Sequence, residues 1–506
     1  MTHKQRVVII GGGTAGLVIA NNLQNYFNVV VVEKSQYKKY PKRYSPPLLI
    51  GLLFRAKKLK YFSKRDFVLS GGRHIPFFES NVFGGASVIN GCVHMLGSKT
   101  RWSSILKKFD SNYEKLIGSY QKLYSLNSRA KNKINLSISC QNIIDKAFIK
   151  TLSIFNIPEG DTNYSNIESC GPIYNTVRNF FRTSVISLIQ NIKFEYSLGE
   201  NVEHLLFNGS KVVGVKTNLR RIKSDYVILS AGVIGTCDLL LRESARLERE
   251  GDSILKGLAI GGGIQDHSNL RINVLTNKNI GSLNEISDSF YQKLILLVKH
   301  YSSQPTLMKG TGATSAVHLD LDKDGEIDTR IQVVQFSETG RHGSNGQFFN
   351  SSHPGFSLSI TAINPQSKGS IVLDGSNNIV DPMFLSSKKD IELLKLALEF
   401  CLKLLRSSPI SKHVLKIEEE ESIEYNPEKY IINNIFSGHH LIGGVQNAIN
   451  SDFEVNNAEG LYVCDASIFE RYTASNIHSS VILIADIFSN KFIVKNKGGS
   501  RCQVLS

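Results

Sequence analysis

The feature that most constrains the fold is a glycine-rich turn that joins an apolar run to a helical pattern near the N-terminus. Residues 7–10 are a continuous run of Val and Ile, which is typical of a strand buried on both faces. Three glycines follow in the spacing Gly11-x-Gly13-x-x-Gly16, and residues 15–23 place Leu and Ala at helical intervals. This order predicts a strand, a tight turn and a helix.

A second apolar run, residues 28–33, follows the predicted helix and ends in an acid, which completes a βαβ unit. In such units the first glycine makes the turn, the second lets the backbone approach a pyrophosphate, and the third lets helix and strand pack closely. The pyrophosphate lies at the helix N-terminus, and the acid binds ribose hydroxyls. We therefore predict a dinucleotide site, and the motif leaves FAD and NAD both open. The predicted contacts are Gly11, Gly13, Thr14, Ala15, Gly16 and Glu33.

The composition is that of a folded enzyme, because 41% of the 506 residues are hydrophobic and 20% are charged. The longest apolar runs, residues 46–54 and 481–484, are far shorter than the roughly 20 residues that a membrane-spanning helix needs. The N-terminus offers no room for a signal peptide, so we expect a cytoplasmic protein. The seven cysteines include no C-x-x-C pair, and we predict neither a metal site nor a disulfide framework.

The net charge of +15 is concentrated in residues 34–65, which hold eleven basic residues, no acidic residue and several aromatic ones. Such a segment can meet nucleic acid, an anionic membrane surface, an acidic carrier or an anionic substrate. We expect no nucleic-acid partner, because no nucleic-acid-binding module accompanies the charge. A solvated positive loop is the simplest interpretation, and peripheral contact with a membrane or an acidic partner is its main alternative.

A second glycine-rich run, residues 81–97, decides between the two dinucleotides. Its glycines and small residues resemble the first signature of the glucose-methanol-choline (GMC) oxidoreductases, which use FAD. In that signature, small residues let main-chain NH groups reach the flavin and the pyrophosphate. The matching positions, which the resemblance marks as cofactor contacts, are Gly84, Gly85, Ser87, Asn90 and Gly91.

Further segments resemble the same family in family order. Residues 230–236 resemble its second signature, residues 261–267 its Asp-His segment, and residues 459–467 the strand that lies along the flavin. From these segments the resemblance implies cofactor contacts at Ala231, Gly232, Asp465, Ala466 and Ile477. Residues 242–245 depart from the family sequence that follows the second signature. Ile89 stands where covalently flavinylated members carry a histidine, so we expect non-covalent FAD, with His94 an open alternative for attachment.

We predict an α/β fold with a Rossmann-like FAD-binding domain and a second domain built on an antiparallel sheet backed by helices. Strand-like runs alternate with turns between residues 280 and 435, and an amphipathic pattern covers residues 390–405. We assign residues 1–105, 190–275 and 436–495 to the FAD-binding domain and residues 106–189 and 276–435 to the substrate-binding domain. Residues 496–506 are predicted to be a flexible tail.

Two of the thirteen histidines lie in family-like settings. His440 opens a segment that resembles the family's His-x-x-Gly-Thr, and His478 closes one that resembles the place of its second His or Asn. His439 is the neighbouring competitor for the catalytic role. The resemblance implies oxidation of a primary or secondary alcohol, or of a sugar hydroxyl, with hydride passing to flavin N5 and a histidine base. Oxygen, a quinone or another carrier would accept the electrons. A lyase with redox-silent FAD, and an inactive flavoprotein that serves as an interaction module, remain the alternatives.

Overall fold

A computed structural model gives the fold of most of the chain. It describes residues 4–39, 59–69, 72–179, 181–189, 191–277, 280–288, 291, 294–295, 298, 307, 310, 312–339, 349–350, 353–375 and 377–497. Most of the basic segment, residues 40–58, lies outside the described residues, as do residues 498–506 of the predicted tail.

Strands and helices alternate along the chain. The strands are β1 Arg6–Ile10, β2 Asn28–Glu33, β3 Phe62–Val68, β4 His74–Ser80, β5 Val93–His94, β6 Tyr124–Ser125, β7 Ile134–Asn135, β8 Ser137–Ile138, β9 Ser169–Pro172, β10 Tyr174–Asn175, β11 Val177–Arg178, β12 Phe181–Arg182, β13 Glu195–Leu198, β14 Val202–Asn208, β15 Lys211–Thr217, β16 Arg221–Lys223, β17 Tyr226–Leu229, β18 Gly262–Gln265, β19 Ser268–Thr276, β20 Ala313–Leu319, β21 Thr329–Val334, β22 Glu338–Thr339, β23 Phe349–Asn350, β24 Gly355–Ala362, β25 Gly369–Asp374, β26 Asn377–Asp381, β27 Val414–Ile417, β28 Phe436–Ser437, β29 Ile442–Gly444 and β30 Leu461–Val463. The helices are α1 Thr14–Leu23, α2 Lys99–Lys108, α3 Tyr113–Leu123, α4 Ile143–Ile154, α5 Gly232–Arg249, α6 Leu283–Asp288, α7 Lys388–Arg406, α8 Glu420–Tyr425, α9 Pro427–Asn434 and α10 Ile477–Lys497.

The first layer is a parallel sheet in the order β13-β2-β1-β17-β30. Its central strands are runs of Val and Ile that are almost fully buried, as expected for a sheet covered on both faces. The strands come from three separate stretches of the chain and meet with their carboxyl ends at one edge. Ligands of open α/β sheets bind beyond that edge. The predicted α/β fold, with its βαβ unit, is confirmed.

The second layer is an antiparallel sheet in the order β27-β19-β24-β21-β20-β9, with β28 also paired to β19. Along β21, Ile331 and Val333 are fully buried on one face, and Arg330 and Gln332 lie on the other. Helix α7 packs against β24, which gives the predicted helical backing. The domain boundaries stay a prediction, and β19 and β28 join this sheet from segments that were assigned to the FAD-binding domain.

Helix α10 is the one helix of the described chain that is long and apolar enough, by length and composition alone, to cross a membrane. Most of its residues are buried, and it packs against α1 and α3 within the protein. A core helix satisfies the same criterion. Its apolar character is therefore explained by its place in the core.

A pair of helical glycines tests how tightly the glycine-rich turn is packed. A Cβ on Gly16 would lie 2.0 Å from the Gly11 carbonyl oxygen, whereas a Cβ on Gly118 in α3 would meet nothing within 4 Å. We expect Gly16→Ala to lose about 1–3 kcal/mol of unfolding free energy or more through overpacking. Gly118→Ala should gain roughly 0.5–1 kcal/mol from lower chain entropy. Denaturant unfolding of both variants measures this, and equal stability would contradict the packing at Gly16.

Candidate active site

Two glycine-rich loops touch at the carboxyl edge of the parallel sheet. The Gly84 NH donates a 2.8 Å hydrogen bond to the Gly12 carbonyl, and a Cβ on Gly85 would lie 2.8 Å from the Gly13 Cα. Gly84 and Gly85 both have positive φ angles. The predicted first signature is thus held directly against the predicted dinucleotide turn, and the approach needs glycine on the signature side.

The turn leaves a cradle at Gly13. A Cβ there would have 4.0 Å of clearance to Gly85 Cα and Ser230 O, whereas one on Gly11 would lie 2.4 Å from Ser230 O. Gly13 also forms the N-terminal cap of α1 without any side-chain cap, so the first NH groups of the helix keep their donors for a ligand. Thr14 and Ala15 are the first residues of that helix. The turn therefore fits a pyrophosphate.

Glu33 lies beside the same turn at the end of β2. One carboxylate oxygen accepts the Gly12 NH at 2.7 Å, and the other accepts the Ser35 NH at 2.8 Å. A carboxylate has about four acceptor positions, so it retains capacity for hydroxyl donors. Glu33 thus both fixes the turn and remains able to accept ribose hydroxyls.

Asp465 joins two strand ends by accepting four hydrogen bonds. Its Oδ2 accepts the Gly232 NH at 2.9 Å and the Thr236 hydroxyl at 2.6 Å, and its Oδ1 accepts the NH and the hydroxyl of Ser467 at 2.8 and 2.5 Å. Burial raises the pKa of this carboxyl group, while those hydrogen bonds oppose the shift. The side chain therefore holds Ala231–Gly232 and Ala466 at the sheet edge, and any direct cofactor contact of Asp465 would come from its backbone.

Residues 84–91 form the wall next to this turn. The Ser87 hydroxyl is buried and donates to the Gly84 carbonyl at 2.7 Å. The Asn90 side chain accepts from Arg182 and from the Cys92 NH, and Gly91 follows it at the exposed end of the run. Ile89 packs beside a small apolar cluster. Its side chain has no atom that forms a covalent flavin bond.

His440 is paired with His267 rather than with a carboxylate. Their Nδ1 atoms lie 3.0 Å apart, and the His267 ring stacks on Tyr472 with centroids 3.8 Å apart. Asp266 accepts the backbone NH groups of both histidines at 2.8 Å, and Tyr472 donates to the His440 carbonyl at 2.9 Å. This network fixes the backbone of the two histidines on both sides of the ring pair.

His439 is directed elsewhere. It has a positive φ of 57°, is exposed, and places its ring against Phe77 and Phe78 of β4. Its Nδ1 lies 3.2 Å from the Ser437 hydroxyl. The sharp turn at this residue separates the directions of the two neighbouring histidine rings.

The charge of Arg182 contributes to lowering the pKa of His478, and His478 contributes to lowering the pKa of His94, after burial in both cases. The His478 Nε2 is buried and has no hydrogen-bond partner among the described residues. Ile477 begins α10 next to it. His94 is itself buried, with Nε2 3.2 Å from the Tyr120 hydroxyl and its ring against Tyr124. His478 is thus free to contact a ligand, while His94 is engaged by tyrosines.

Two site residues were not predicted from the sequence, Arg330 and Asn476. The Arg330 Nη1 donates to Asn476 Oδ1 at 2.8 Å and contacts Met95 Sδ. Asn476 lies two residues before His478 in the same family-like segment, so its amide was a visible candidate. Arg330 carried no signal in the sequence, because only strand pairing brings it to the site. Asp266 and His267 were visible in the Asp-His segment but received no role.

His440, His478 and His267 are neutral at pH 7. Burial, followed by the positive charge of Arg330, lowers the pKa of His440 to about 3. Burial, followed by Arg182, lowers the pKa of His478 to about 4. His267 is likewise held well below its ordinary pKa by burial and by His440. Their ring nitrogens therefore act as one donor and one acceptor each.

The structure combines a glycine-rich turn at the edge of a parallel sheet with a histidine pair and a separate antiparallel sheet. This combination is typical of a dinucleotide-binding oxidoreductase. Residues 365–485 match the family model described as GMC oxidoreductase. The alcohol dehydrogenase [acceptor] of Pseudomonas putida is 22% identical over 95% of this chain and 94% of its own length. These matches support the resemblance to the GMC family of FAD-dependent oxidoreductases along nearly the whole chain.

Solved structures show the same fold. Pyridoxine 4-oxidase from Mesorbium loti superposes with a TM-score of 0.79 at 17% identity, covering 96% of this chain and 99% of that one. A formate oxidase superposes with a TM-score of 0.83 at 16% identity, covering 98% of this chain and 100% of that one. The open cradle at Gly13, the acceptor capacity of Glu33 and the unpartnered His478 Nε2 fit the FAD that this family binds.

Glu33 should govern FAD affinity. Glu33→Ala removes the acceptor for ribose hydroxyls and releases the Gly12 NH, each at a cost of about 1–3 kcal/mol. We expect this variant to purify depleted in FAD, while Glu195→Ala on the neighbouring strand β13 retains it. The flavin-to-protein absorbance ratio and an FAD titration of stripped protein provide the measurement. Equal FAD affinity in both variants would contradict the assignment.

Proposed function

We propose that this protein oxidises the CH–OH group of a small alcohol or sugar to a carbonyl, with His440 accepting the hydroxyl proton. The observation that carries the proposal is a neutral His440 imidazole that is held against His267, with its backbone fixed by Asp266 and Tyr472. A neutral histidine is a suitable proton acceptor for this chemistry. His478 and Asn476, which approach from the start of α10, would bind the same substrate oxygen.

The two ring nitrogens of His440 have different roles in the proposed reaction. Its Nδ1 faces His267 at 3.0 Å, so Nε2 is the nitrogen that remains for the substrate. Nε2 can accept a proton only if Nδ1 carries the hydrogen and donates it to His267 Nδ1. His267 would then carry its own hydrogen on Nε2, which is buried without a partner among the described residues. His267 is therefore a positioning residue that selects the tautomer of His440.

The remaining half of the reaction belongs to the cofactor. Bound FAD supplies the acceptor for the hydride from the substrate carbon, so two electrons and one hydrogen leave the C–H bond as the hydroxyl proton leaves to His440. The chain's part is to hold the alcohol so that its O–H meets His440 Nε2 and its C–H meets the flavin.

The electron acceptor and the location belong to the proposal as well. We propose non-covalent FAD, since Ile89 replaces the attachment histidine and His94 is engaged by Tyr120. Oxygen, a quinone or another carrier would reoxidise it in the cytoplasm or at a membrane surface. The basic segment is partly neutralised at its described end, residues 59–65, because Arg65 pairs with Glu79 at 3.1 Å. A role in acceptor docking would fall to residues 40–58, which lie outside the described residues.

His440→Ala should reduce flavin much more slowly while keeping FAD. General-base loss typically lowers the rate 10²- to 10⁴-fold. The contacts of His440 with Asp266 and Tyr472 involve its backbone, so alanine preserves them. Anaerobic stopped-flow reduction with an alcohol panel measures it, and His439→Ala is the matched control because its ring is directed elsewhere. Because the pKa of His440 is about 3, the parent rate should stay flat from pH 8 down to pH 5.

Two outcomes would contradict this assignment. If His439→Ala is the slow variant and His440→Ala reduces at the parent rate, the base is the neighbouring residue. If the parent rate falls tenfold per pH unit below about 6.5, the acceptor is a group with an ordinary histidine pKa. Flavin that no alcohol reduces would favour the lyase or the inactive flavoprotein.

A further inference from the structure

Arg330 is a buried cation without an ionic partner. Its side chain is 3% exposed, and its hydrogen-bond partners, Met95 Sδ and Asn476 Oδ1, are both uncharged. No carboxylate of the described residues forms an ion pair with it, and its Nε is buried without any partner there. By contrast, the buried Arg271 on the same sheet is paired with Glu338 at 2.7 Å. Of these two buried arginines, Arg271 has a carboxylate partner and Arg330 has none among the described residues.

Arg330 belongs to a row of side chains that crosses four neighbouring strands of the antiparallel sheet. Arg330 stands opposite His318 on β20 and Thr361 on β24, and Thr361 stands opposite Asn269 on β19. Residues opposite one another share a face of the sheet. Both ring nitrogens of His318, Asn269 Oδ1 and the nearby Gln332 Oε1 are buried and lack partners among the described residues. The face that meets Asn476 is therefore polar, buried and rich in unused hydrogen-bonding groups.

Such a face is costly unless a ligand covers it. Buried polar groups in native proteins are almost always hydrogen-bonded, and a buried charge is normally paired. The charge here is positive, since His318 has a pKa of about 3 and stays neutral. An anion would pair with the guanidinium, and its remaining oxygens would find donors in the row.

We propose that Arg330 binds a carboxylate of the substrate, so that the proposed oxidation acts on a hydroxy acid. The inference rests on the proposed function for the reaction, but the anion site stands on Arg330 and the polar row alone. The carboxylate would dock on Arg330, and the hydroxyl would reach His440 Nε2 beside it. Oxidation then converts the hydroxy acid to the oxo acid, with the hydride passing to FAD and the proton to His440.

A second source of negative charge is the bound flavin itself, and the experiment separates the two. Holoenzyme is titrated with sodium acetate, an unreactive carboxylate, while flavin absorbance and melting temperature are followed. We expect saturable spectral change and a raised melting temperature in the parent. Arg330→Met should weaken acetate binding about tenfold or more, Arg330→Lys should retain part of it, and the exposed control Arg178→Gln should bind as the parent does.

The same variants show whether Arg330 is structural. Because Arg330→Met removes an unpaired buried charge, its melting temperature without acetate should equal or exceed that of the parent. Loss of melting temperature with unchanged acetate binding would overturn the proposal. So would FAD loss or a shifted flavin potential with unchanged acetate binding, since Arg330 would then serve the flavin.

A substrate panel separates this inference from the proposed function. Each hydroxy acid, such as glycolate, is compared with an alcohol that lacks the carboxylate, such as ethanol. We expect flavin reduction by hydroxy acids, at lower concentration than by their neutral counterparts, and loss of that preference in Arg330→Met. Reduction by neutral alcohols alone would overturn the inference and keep the proposed function. Arg330-dependent acetate binding with no reduction by any alcohol would overturn the proposed function and leave only the anion site at Arg330.

An independent observation concerns the hairpin loop between β20 and β21. Its sequence places Asp320, Asp322 and Asp324 at alternate positions, followed by Gly325 and by Asp328, a pattern that resembles the start of a calcium-binding loop. Carboxylate oxygens of Asp320, Asp322 and Asp328 all lie within 4.8 Å of one another. The sequence prediction of no metal site overlooked this spacing.

Asp328 supplies the evidence beyond clustered acids. It is 4% exposed, and its Oδ1 is buried with no hydrogen-bond partner among the described residues. Its Oδ2 accepts the NH groups of Leu321 and Asp322 at 2.9 and 3.0 Å, which fixes the carboxylate toward the loop. A buried carboxylate oxygen beside two further carboxylates calls for a cation. We propose that this loop binds Ca²⁺, whose oxygen coordination it matches.

The loop also borders the site. Ile327 packs with Ala474 and Ile363, and Glu326 forms an ion pair with Arg101 of α2. Ala474 lies two residues before Asn476, so a cation in the loop would steady one wall of the substrate region. The role is therefore structural support of the hairpin and of the segment that carries Asn476.

The test uses holoenzyme treated with a chelator and then titrated with CaCl₂ or MgCl₂ by calorimetry and thermal melting. We expect Ca²⁺ binding with a dissociation constant on the order of 10⁻⁶ to 10⁻³ M, a raised melting temperature and weaker binding of Mg²⁺. Asp322→Asn should lose the Ca²⁺ effect, and the exposed control Asp374→Asn should keep it. Absence of binding at millimolar Ca²⁺ would overturn the proposal. If Asp322→Asn melts at a higher temperature than the parent, by the same amount with and without Ca²⁺, the substitution only relieves charge repulsion in the loop. That result would also overturn the proposal.

Discussion

Buried carboxylates that accept backbone NH groups hold the candidate site together. Asp465 connects the start of α5 to the segment after β30, and Asp266 connects β19 to the His440 turn. A carboxylate in an apolar interior is costly unless several donors satisfy it, and charge-assisted bonds are the strong ones. Each of these groups receives such donors from chain segments far apart in sequence. Asp465 thus fixes the edge of the parallel sheet, and Asp266 fixes the backbone of the histidine pair.

The sequence predicted the elements whose pattern is local. Strand β2 ends at Glu33, as the apolar run indicated, and α1 begins at Thr14, directly after the glycine-rich turn. The loop at Gly85 was likewise visible, because a side chain there would collide with Gly13. Local composition encodes these features directly.

The substrate side escaped prediction because it is built by register rather than by motif. In the sequence, Arg330 is one residue of an ordinary alternating strand. Its polar surroundings form only when β21 pairs with β20 and β24. A shift of one residue in that register would turn Arg330 into the apolar face against α7 and bring Ile331 to the site. Single-sequence patterns predict that a strand alternates. They do not say which face will meet a ligand.

The charge environment of His440 connects the two halves of the site. Burial and Arg330 together hold its pKa near 3, so the imidazole is neutral but a weak base. A weak base takes little of the hydroxyl proton before the C–H bond begins to break, so proton and hydride should leave nearly together. An anion on Arg330 would cancel the nearest positive charge and strengthen the base only when substrate is bound. The same arginine that would recognise a carboxylate would thereby keep the base weak in its absence, which links recognition to chemistry through one electrostatic interaction.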